Sequence, residues 1–158
     1  MHPNAELVDR FYRSFQRRDA DAMVACYHAD VWFTDPVFPD LHGPEAGAMW
    51  RMLTKRASGF TMEFRDVTAD DARGSAHWEA DYTFTETGRK VHNVIDASFE
   101  FRDGLIIRHV DRFDLWKWSA MALGPAGRLF GWLPPMKGAI RRKAAGNLRR
   151  FLDKSASA

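Results

Sequence analysis

The fold is decided by the stretch VHNVIDASFEF at residues 91–101, in which apolar and polar side chains alternate. Because successive side chains of a β-strand point to opposite faces of a sheet, this alternation predicts a strand with one buried face. Further segments with the same period of two lie at residues 60–64, 76–84 and 105–115. Turn-forming residues separate the four segments at 70–74, 87–88 and 102–104. The pattern therefore predicts four long antiparallel strands joined by hairpins.

The first third of the chain has a helical period instead. Apolar side chains recur at helical spacing from Leu7 to Phe15, behind Asn4 as the predicted N-cap. A short helix is predicted at residues 21–27, and a short strand at 31–34 ends where Asp35 precedes a proline. A third helix is predicted to begin at Gly43-Pro44-Glu45, with an apolar stripe formed by Ala46, Met49, Trp50 and Leu53.

Helices followed by an antiparallel meander are typical of an α+β fold, in which the helices cover one face of the sheet. Strands of this length curl, and a curled sheet closed by helices encloses a cavity. Small-molecule sites are expected in such cavities.

Length and composition set the class of the protein. The 158 residues, 46% of them hydrophobic, fit one domain with a real core. No apolar run reaches the roughly 20 residues that cross a bilayer, and the start of the chain lacks the pattern of a secretion signal, so a cytoplasmic location is expected. Cys26 is the only cysteine, which excludes an internal disulfide and a multi-cysteine metal site.

The net charge of +2 hides a basic tail. From Ser119 onward the sequence contains eight Lys and Arg residues and one acidic residue, Asp153, so the tail has a charge of +7 and the body one of about −5. The chain is therefore divided into a pocket domain at 1–118 and a C-terminal helical extension at 119–158. One side of this extension is apolar and comprises Met136, Ile140, Ala144, Leu148, Phe151 and Leu152.

A basic amphipathic helix of this kind has three possible partners. It can pack on the acidic body, as a lid over the pocket or at a dimer interface, and this is the favoured interpretation. It can also lie on a membrane surface, which is kept as the alternative. Nucleic-acid binding is not predicted, because no aromatic side chains are interleaved with a basic groove.

Two polar residues interrupt the apolar register of the last predicted strand. Leu105 and Ile107 are taken to set the inward parity, and His109 and Asp111 share it. Burial raises the pKa of a carboxyl group and a nearby imidazolium lowers it, so such a pair can be tuned for proton transfer near neutrality. The alternative is that the two side chains only pair with each other or with the backbone and tie the strand to a helix.

Other side chains are candidates for the same pocket. Asp35 lies where a short strand meets its loop, a common place for functional groups. Tyr12, Tyr82 and Asn93 are predicted to hold substrate oxygens. The alternative for Tyr82 and Asn93 is that they only satisfy buried hydrogen bonds. The predicted apolar walls are Trp50, Trp78, Phe99 and Phe113. No histidine has the spacing of a zinc ligand and no phosphate-binding loop is present, so neither a metal nor a cofactor is predicted.

Three segments resemble the nuclear-transport-factor-two-like (NTF2-like) superfamily. Asp35-Pro36-Val37 resembles the stretch that carries the catalytic base of ketosteroid isomerases. Residues 99–106 (FEFRDGLI) and 108–116 (RHVDRFDLW) resemble the last hairpin of the polyketide-cyclase (SnoaL-like) branch. The likeness covers Leu7 to Trp118 and extends to limonene-epoxide hydrolases and scytalone dehydratases. It implies a cystatin-like cone, a curved antiparallel sheet wrapped around the N-terminal helices, and a homodimer.

The resemblance also implies roles for particular residues. An aspartate on the final strand acts as acid or base in the polyketide-cyclase branch, and this role maps to Asp111. The oxyanion-hole tyrosine of the isomerases falls on Phe11, and their second acid falls on Ala97, so a steroid isomerase is disfavoured. We therefore expect a cofactor-independent lyase, isomerase or hydrolase acting on a small, apolar, oxygenated molecule. The alternative is a non-catalytic binding or dimeric interaction module of the same fold.

Overall fold

A curved, unclosed sheet of six strands forms the centre of the computed structural model, which describes residues 1–157. The strands are β1 (Tyr27–Thr34), β2 (Leu41–His42), β3 (Ser58–Ala69), β4 (Arg73–Phe84), β5 (Arg89–Arg102) and β6 (Leu105–Arg112). The helices are α1 (Pro3–Gln16), α2 (Ala20–Val24), α3 (Pro44–Arg56), α4 (Leu115–Leu123), α5 (Pro125–Phe130) and α6 (Pro134–Ser157). Strand order is β2-β1-β6-β5-β4-β3, with β1 parallel to β6 and the other neighbours antiparallel. The predicted α+β class is confirmed.

The first helix packs its apolar stripe into the core as predicted. Leu7, Val8, Phe11, Tyr12 and Phe15 are all buried. The predicted N-cap is wrong, because α1 begins at Pro3 and His2 caps it by accepting from the N–H of Asn4 at 3.1 Å. Asn4 instead donates from its side chain to the carbonyl oxygen of Asp70 at 3.0 Å, which ties α1 to the β3–β4 turn.

Three predicted boundaries also differ from the structure. The second helix ends at Val24, because Tyr27 pairs with Ile106 and is drawn into the sheet as the first residue of β1. The last strand ends at Arg112 and not at residue 115, because Asp114 caps α4 through the N–H of Lys117. On α3, Leu53 was predicted to be buried and is 37% exposed.

A bulge in β6 corrects the parity argument for that strand. Phe99 pairs with His109, but Phe101 pairs with Ile106, so β6 contains one extra residue between these pairs. Ile106 is therefore the buried residue, at 0% exposure, while Leu105 and Ile107 are only partly buried. Beyond the bulge the parity is as predicted.

The C-terminal helices close the open side of the sheet. α4 runs across the predicted boundary at 118/119, and that division of the chain stays a prediction. Leu148 of α6 is buried in the main core, with Ala144, Phe151 and Leu152 packed against it. Lys143 of α6 forms an ion pair with Glu86 at 3.2 Å. Among residues 1–157, no helix is long and apolar enough to cross a membrane.

Close packing of α5 on α4 depends on Gly127, because a Cβ atom at this position would overlap the carbonyl oxygen of Ser119. We expect Gly127→Ala to lower the free energy of unfolding by about 1–3 kcal/mol, the usual cost of overpacking. Gly146→Ala is the matched control, because a Cβ atom there meets only the end of the Arg150 side chain. The control should be stabilised by about 0.5–1 kcal/mol. Urea unfolding of both variants tests this, and equal stabilities would contradict it.

Candidate active site

A cavity of about 250 Å³ lies between the concave face of the sheet and the helices α3, α4 and α6. Its wall is mostly apolar and includes the aromatic side chains of Phe15, Trp50, Phe60, Trp78, Phe113 and Trp118. Its polar side chains include Asp35, Tyr82, Asn93 and Asp111, each from a different strand or strand end. A few convergent polar groups in an apolar cavity are what a small-molecule site requires.

Asp111 is the last member of a buried chain of hydrogen bonds. Trp50 donates its indole N–H to the Tyr27 hydroxyl at 2.8 Å, and this hydroxyl lies 2.8 Å from Nδ1 of His109. Nε2 of His109 lies 2.9 Å from Oδ1 of Asp111, which also accepts the indole N–H of Trp78 at 3.5 Å. His109 is 0% exposed and Asp111 3%, which confirms their predicted inward parity.

This chain fixes where the protons lie. The Tyr27 oxygen already accepts from Trp50, and its own proton finds an acceptor only if Nδ1 of His109 is unprotonated. His109 then carries its proton on Nε2 and donates it to Asp111. A doubly protonated imidazole would leave the Tyr27 hydroxyl proton without a partner in this network. We therefore assign a neutral His109 and an Asp111 that accepts two N–H groups on one oxygen, as a carboxylate does.

The second oxygen of Asp111 is available for chemistry. Within the described residues, Oδ2 makes no hydrogen bond, and Asp111 lines the cavity. The carboxylate is thus held from behind by His109 and Trp78 while its free oxygen can meet a ligand. A base that accepts a substrate proton needs such a geometry.

Asp35 lies in a different environment. Its Oδ1 accepts the backbone N–H groups of Val37 at 2.7 Å and Phe38 at 2.6 Å, in the turn that follows β1. Burial raises the pKa of Asp35 to about 7, against the effect of these N–H groups, and the negative charge of Asp111 adds to the rise. Asp35 is therefore protonated in a large fraction of molecules at neutral pH and can act as an acid.

Tyr82 and Asn93 complete the polar wall. Tyr82 accepts the indole N–H of Trp118 at 2.8 Å, and burial raises the pKa of Tyr82 to about 12. Tyr82 therefore stays protonated and can donate its hydroxyl proton to a ligand. The side-chain amide of Asn93 makes no hydrogen bond to any described residue, so its donors and its acceptor are free.

Most of the predicted site residues line this cavity, and three do not. Asp35, Trp50, Trp78, Tyr82, Asn93, Asp111 and Phe113 line it. His109 lies behind Asp111. The ring of Phe99 packs on the imidazole ring of His109, with 4.5 Å between the ring centroids, and so it does not form part of the cavity wall. Tyr12 is also behind the wall, and its buried hydroxyl has no hydrogen-bond partner among the described residues. Tyr12 and Phe99 therefore do not line the cavity, and they pack behind its wall.

Several residues of the site were missed by the sequence analysis. Tyr27 was placed in a helix, and only its long-range pairing with β6 reveals its part in the network. Trp118 lies in α4, just beyond residue 115, where the last strand was predicted to end. Four residues of α6 also line the cavity: Ile140, Lys143, Ala144 and Asn147. The sequence signal for their position was the amphipathic pattern of the helix, which led to the prediction of a lid over the pocket.

Histidines on the outer face of the sheet do not take part in the site. His77 lies 2.7 Å from Asp96, and His92 lies 2.8 Å from Asp81. These pairs point away from the cavity, because they alternate along β4 and β5 with Trp78, Tyr82, Asn93 and Ile95, which line it. In the part of the chain that the structure describes, no group of three or more His, Cys, Asp or Glu is arranged to hold a metal ion.

The raised pKa of Asp35 makes stability depend on pH. The folded-state pKa is about 7, whereas the unfolded value is about 3.9, so the folded form binds this proton more tightly. The resulting stabilisation is complete below pH 3.9 and is lost as the pH rises through 7. We expect Asp35→Asn, which keeps the acceptor oxygen of the turn, to be more stable than the parent by on the order of 2 kcal/mol at pH 8.5. The difference should vanish near pH 4, and urea unfolding at both pH values tests it. A constant difference would contradict the assignment.

Comparison with known proteins agrees with this architecture. The family model described as SnoaL-like domain matches residues 8–109. No protein with a curated description matches the chain. A structure of an M. tuberculosis LEH-like epoxide hydrolase is 21% identical and superposes with a TM-score of 0.62, covering 73% of this chain and 86% of that one.

Two further solved structures have the same fold. A candidate polyketide cyclase from Xanthomonas campestris pv. campestris is 27% identical, with a TM-score of 0.63 over 75% of this chain and 96% of that one. TerC, crystallised with polyporic acid, is 22% identical, with a TM-score of 0.60 over 71% of this chain and 92% of that one. The matched model spans well over half of the residues, and the curved sheet and N-terminal helices are those of the NTF2-like fold. The chain therefore belongs to the SnoaL-like domain family.

Proposed function

We propose that this protein is a cofactor-independent acid–base enzyme for a small, largely apolar, oxygenated molecule. The observation that supports it is a pair of carboxyl groups in one apolar cavity with opposite surroundings. Asp111 accepts two N–H groups on one oxygen, whereas burial raises the pKa of Asp35 to about 7. The geometry around Asp111 suits a base, and Asp35 keeps its proton in a large fraction of molecules at neutral pH and suits an acid.

The first chemical step is removal of a proton by Asp111. Its free oxygen takes a proton from a carbon of the substrate, or from a water that attacks the substrate. The electron pair released moves onto a substrate oxygen, which takes the proton of Asp35. Tyr82 and Asn93 hold that oxygen by hydrogen bonds. Both carboxyl groups then return to their starting states by exchange with the product or with water.

His109 is a positioning residue in this mechanism. It does not line the cavity, and it acts by holding Oδ1 of Asp111 at 2.9 Å. Tyr27 fixes the tautomer of His109 from the other side of the ring. The aromatic wall keeps water out and gives the cavity an affinity for apolar molecules. The family match and the neighbours described as a polyketide cyclase and an epoxide hydrolase agree with a pocket of this type.

The test uses 5-nitrobenzisoxazole, a small oxygenated aromatic that needs only a base. Removal of its C–H proton breaks the N–O bond and forms a nitrile and a coloured phenolate. We expect saturable turnover well above that of acetate in the same buffer. Tight binding of the probe, measured by tryptophan quenching, without turnover above acetate would favour the binding-module alternative.

The predicted homodimer is tested separately by analytical ultracentrifugation.

The pH dependence of this reaction should report Asp35. The leaving phenolate oxygen takes the Asp35 proton, so kcat/KM should halve near pH 7 and then fall by up to about tenfold per pH unit. In Asp35→Asn the overall rate should be lower and this descending limb should be absent, because asparagine does not titrate. Initial rates from pH 5 to 9 measure both profiles. If the limb persisted unchanged in the variant, Asp35 would not be the acid.

A further inference from the structure

Four large apolar side chains on α4, on α5 and just after α5 are exposed. Trp116 of α4 is 47% exposed, and Leu129, Phe130 and Trp132 are 63%, 50% and 57% exposed. We call these four residues the aromatic knob. Single exposed apolar residues are ordinary, whereas a contiguous group of this size marks an interaction surface.

The aromatic knob is held rigidly on the fold. Trp116 donates its indole N–H to the carbonyl oxygen of Arg128 at 2.9 Å, and Trp132 donates to that of Leu129 at 3.1 Å. Both indole N–H groups are thus satisfied within the protein, and the ring surface left exposed is apolar. The close contact between Gly127 and Ser119 fixes α5 against α4.

The sequence around the knob is strongly basic, and Asp114, which caps α4, is the acidic residue that directly precedes this stretch. Between residues 115 and 152 the sequence contains eight Lys and Arg and no Asp or Glu. Lys117 and Arg128 are sequence neighbours of knob residues, and Lys137 follows the knob closely. None of these three forms an ion pair with a described residue. An anionic partner is therefore the electrostatic match for this surface.

The apolar side of α6 is not available for the same purpose. Leu148, Ala144, Phe151 and Leu152 pack on the main core, and Ile140 packs on the smaller cluster around Trp118. The membrane alternative of the sequence analysis, which relied on this side of the helix, therefore does not hold for α6. Arg142 and Arg149 remain exposed on its outer side.

We propose that the aromatic knob and its basic surroundings dock on the surface of an anionic lipid bilayer. Tryptophan rings favour the headgroup region, and Phe130 and Leu129 would insert beside them. Lys and Arg side chains close to an anionic surface are attracted to it electrostatically. Docking of this kind needs no spanning segment, and it stands whether or not the cavity is catalytic.

Docking would bring the cavity opening next to the lipid. Thr87 donates to the carbonyl oxygen of Ala122, and Arg89 donates to that of Met121 at 2.8 Å, so the β4–β5 turn is fixed to the end of α4. Thr85 and Glu86 of this turn are exposed and line the cavity. Small apolar molecules partition into bilayers, so the bilayer would be the source from which the cavity is filled.

Vesicle flotation tests the proposal with the full chain. Parent protein is mixed with vesicles of phosphatidylcholine alone, or with about 30 mol% phosphatidylserine. We expect flotation with the anionic vesicles only, and release at about 0.5 M NaCl because salt screens the basic residues. The double variant Leu129→Ser/Phe130→Ser should reduce the bound fraction at least about tenfold. The control is Val94→Ser, since Val94 is 45% exposed on the opposite, outer face of the sheet.

Three outcomes would overturn it. The first is a parent protein that does not float with anionic vesicles. The second is a double variant that floats as well as the parent and the control. The third is a parent that sediments as a dimer and a double variant that sediments as a monomer, since a second copy of the chain would then occupy the knob. Circular dichroism of each variant shows that it is folded.

Discussion

Replacing Asp111 by asparagine should lower kcat/KM for 5-nitrobenzisoxazole by about 10²–10⁴-fold, the usual contribution of a positioned base. Asparagine has the same shape, and its carbonyl oxygen can still accept from His109 and Trp78, which now contact Oδ1 of Asp111. Its amide group cannot take a proton at neutral pH. The loss should therefore fall on turnover, while the affinity for the probe, measured by tryptophan quenching, stays within about twofold.

Asp96→Asn is the matched control for this variant. Asp96 is an aspartate on the neighbouring strand, but it pairs with His77 on the outer face of the sheet. The same change there should leave kcat/KM unaltered. If Asp111→Asn turned over the probe as fast as this control, the base would have to be another group, and Asp35 and Glu86 are the other carboxyl groups that line the cavity.

Replacing Phe11 by alanine should cost about 3–5 kcal/mol of stability, as for other buried aromatic residues. Phe11 is 0% exposed, and its ring contacts those of Tyr27, Trp50 and His109 at centroid distances between 5.3 and 5.7 Å. These are three members of the hydrogen-bond chain that ends at Asp111. The vacated space lets them shift, so we also expect at least about a tenfold lower kcat/KM per folded molecule.

Leu7→Ala separates the two effects of the Phe11 change. Leu7 lies one turn earlier on α1 and is 2% exposed, and it makes none of these aromatic contacts. It should be destabilised by about 2–5 kcal/mol without a change in kcat/KM per folded molecule. Urea unfolding and initial rates on both variants provide the measurement. An equal loss of rate in the two variants would mean that Phe11 has no special role in positioning the site.

The sequence pattern was enough to predict the sheet and the inner face of its longest strands. Alternation at period two requires no knowledge of distant residues, so β3, β4 and β5 could be located from it. It could not reveal the bulge at Ile107, because one inserted residue changes parity without changing composition. His109 and Asp111 were nevertheless placed inward, since the bulge lies before both of them.

The remaining errors come from contacts between distant parts of the chain. Tyr27 leaves the helical pattern only because it pairs with β6, 79 positions away at Ile106. Tyr12 shares the buried stripe of α1 with Phe11, and no pattern tells which of these side chains reaches a cavity. The contribution of α6 to the site depends on where the helix packs. Its position is fixed by contacts with distant residues: Lys143 pairs with Glu86, and Arg141 donates to the carbonyl oxygen of Pro36.

The parallel pairing of β1 with β6 has a consequence for how the protein is made. Asp35 follows β1 and Asp111 is near the end of β6, so the two carboxyl groups meet only when these strands lie side by side. During synthesis, most of the chain must leave the ribosome before this can happen. Until then both β1 and β5 have unpaired edges, which are templates for aggregation. A chain terminated before residue 105 would therefore be prone to aggregate, in addition to being inactive.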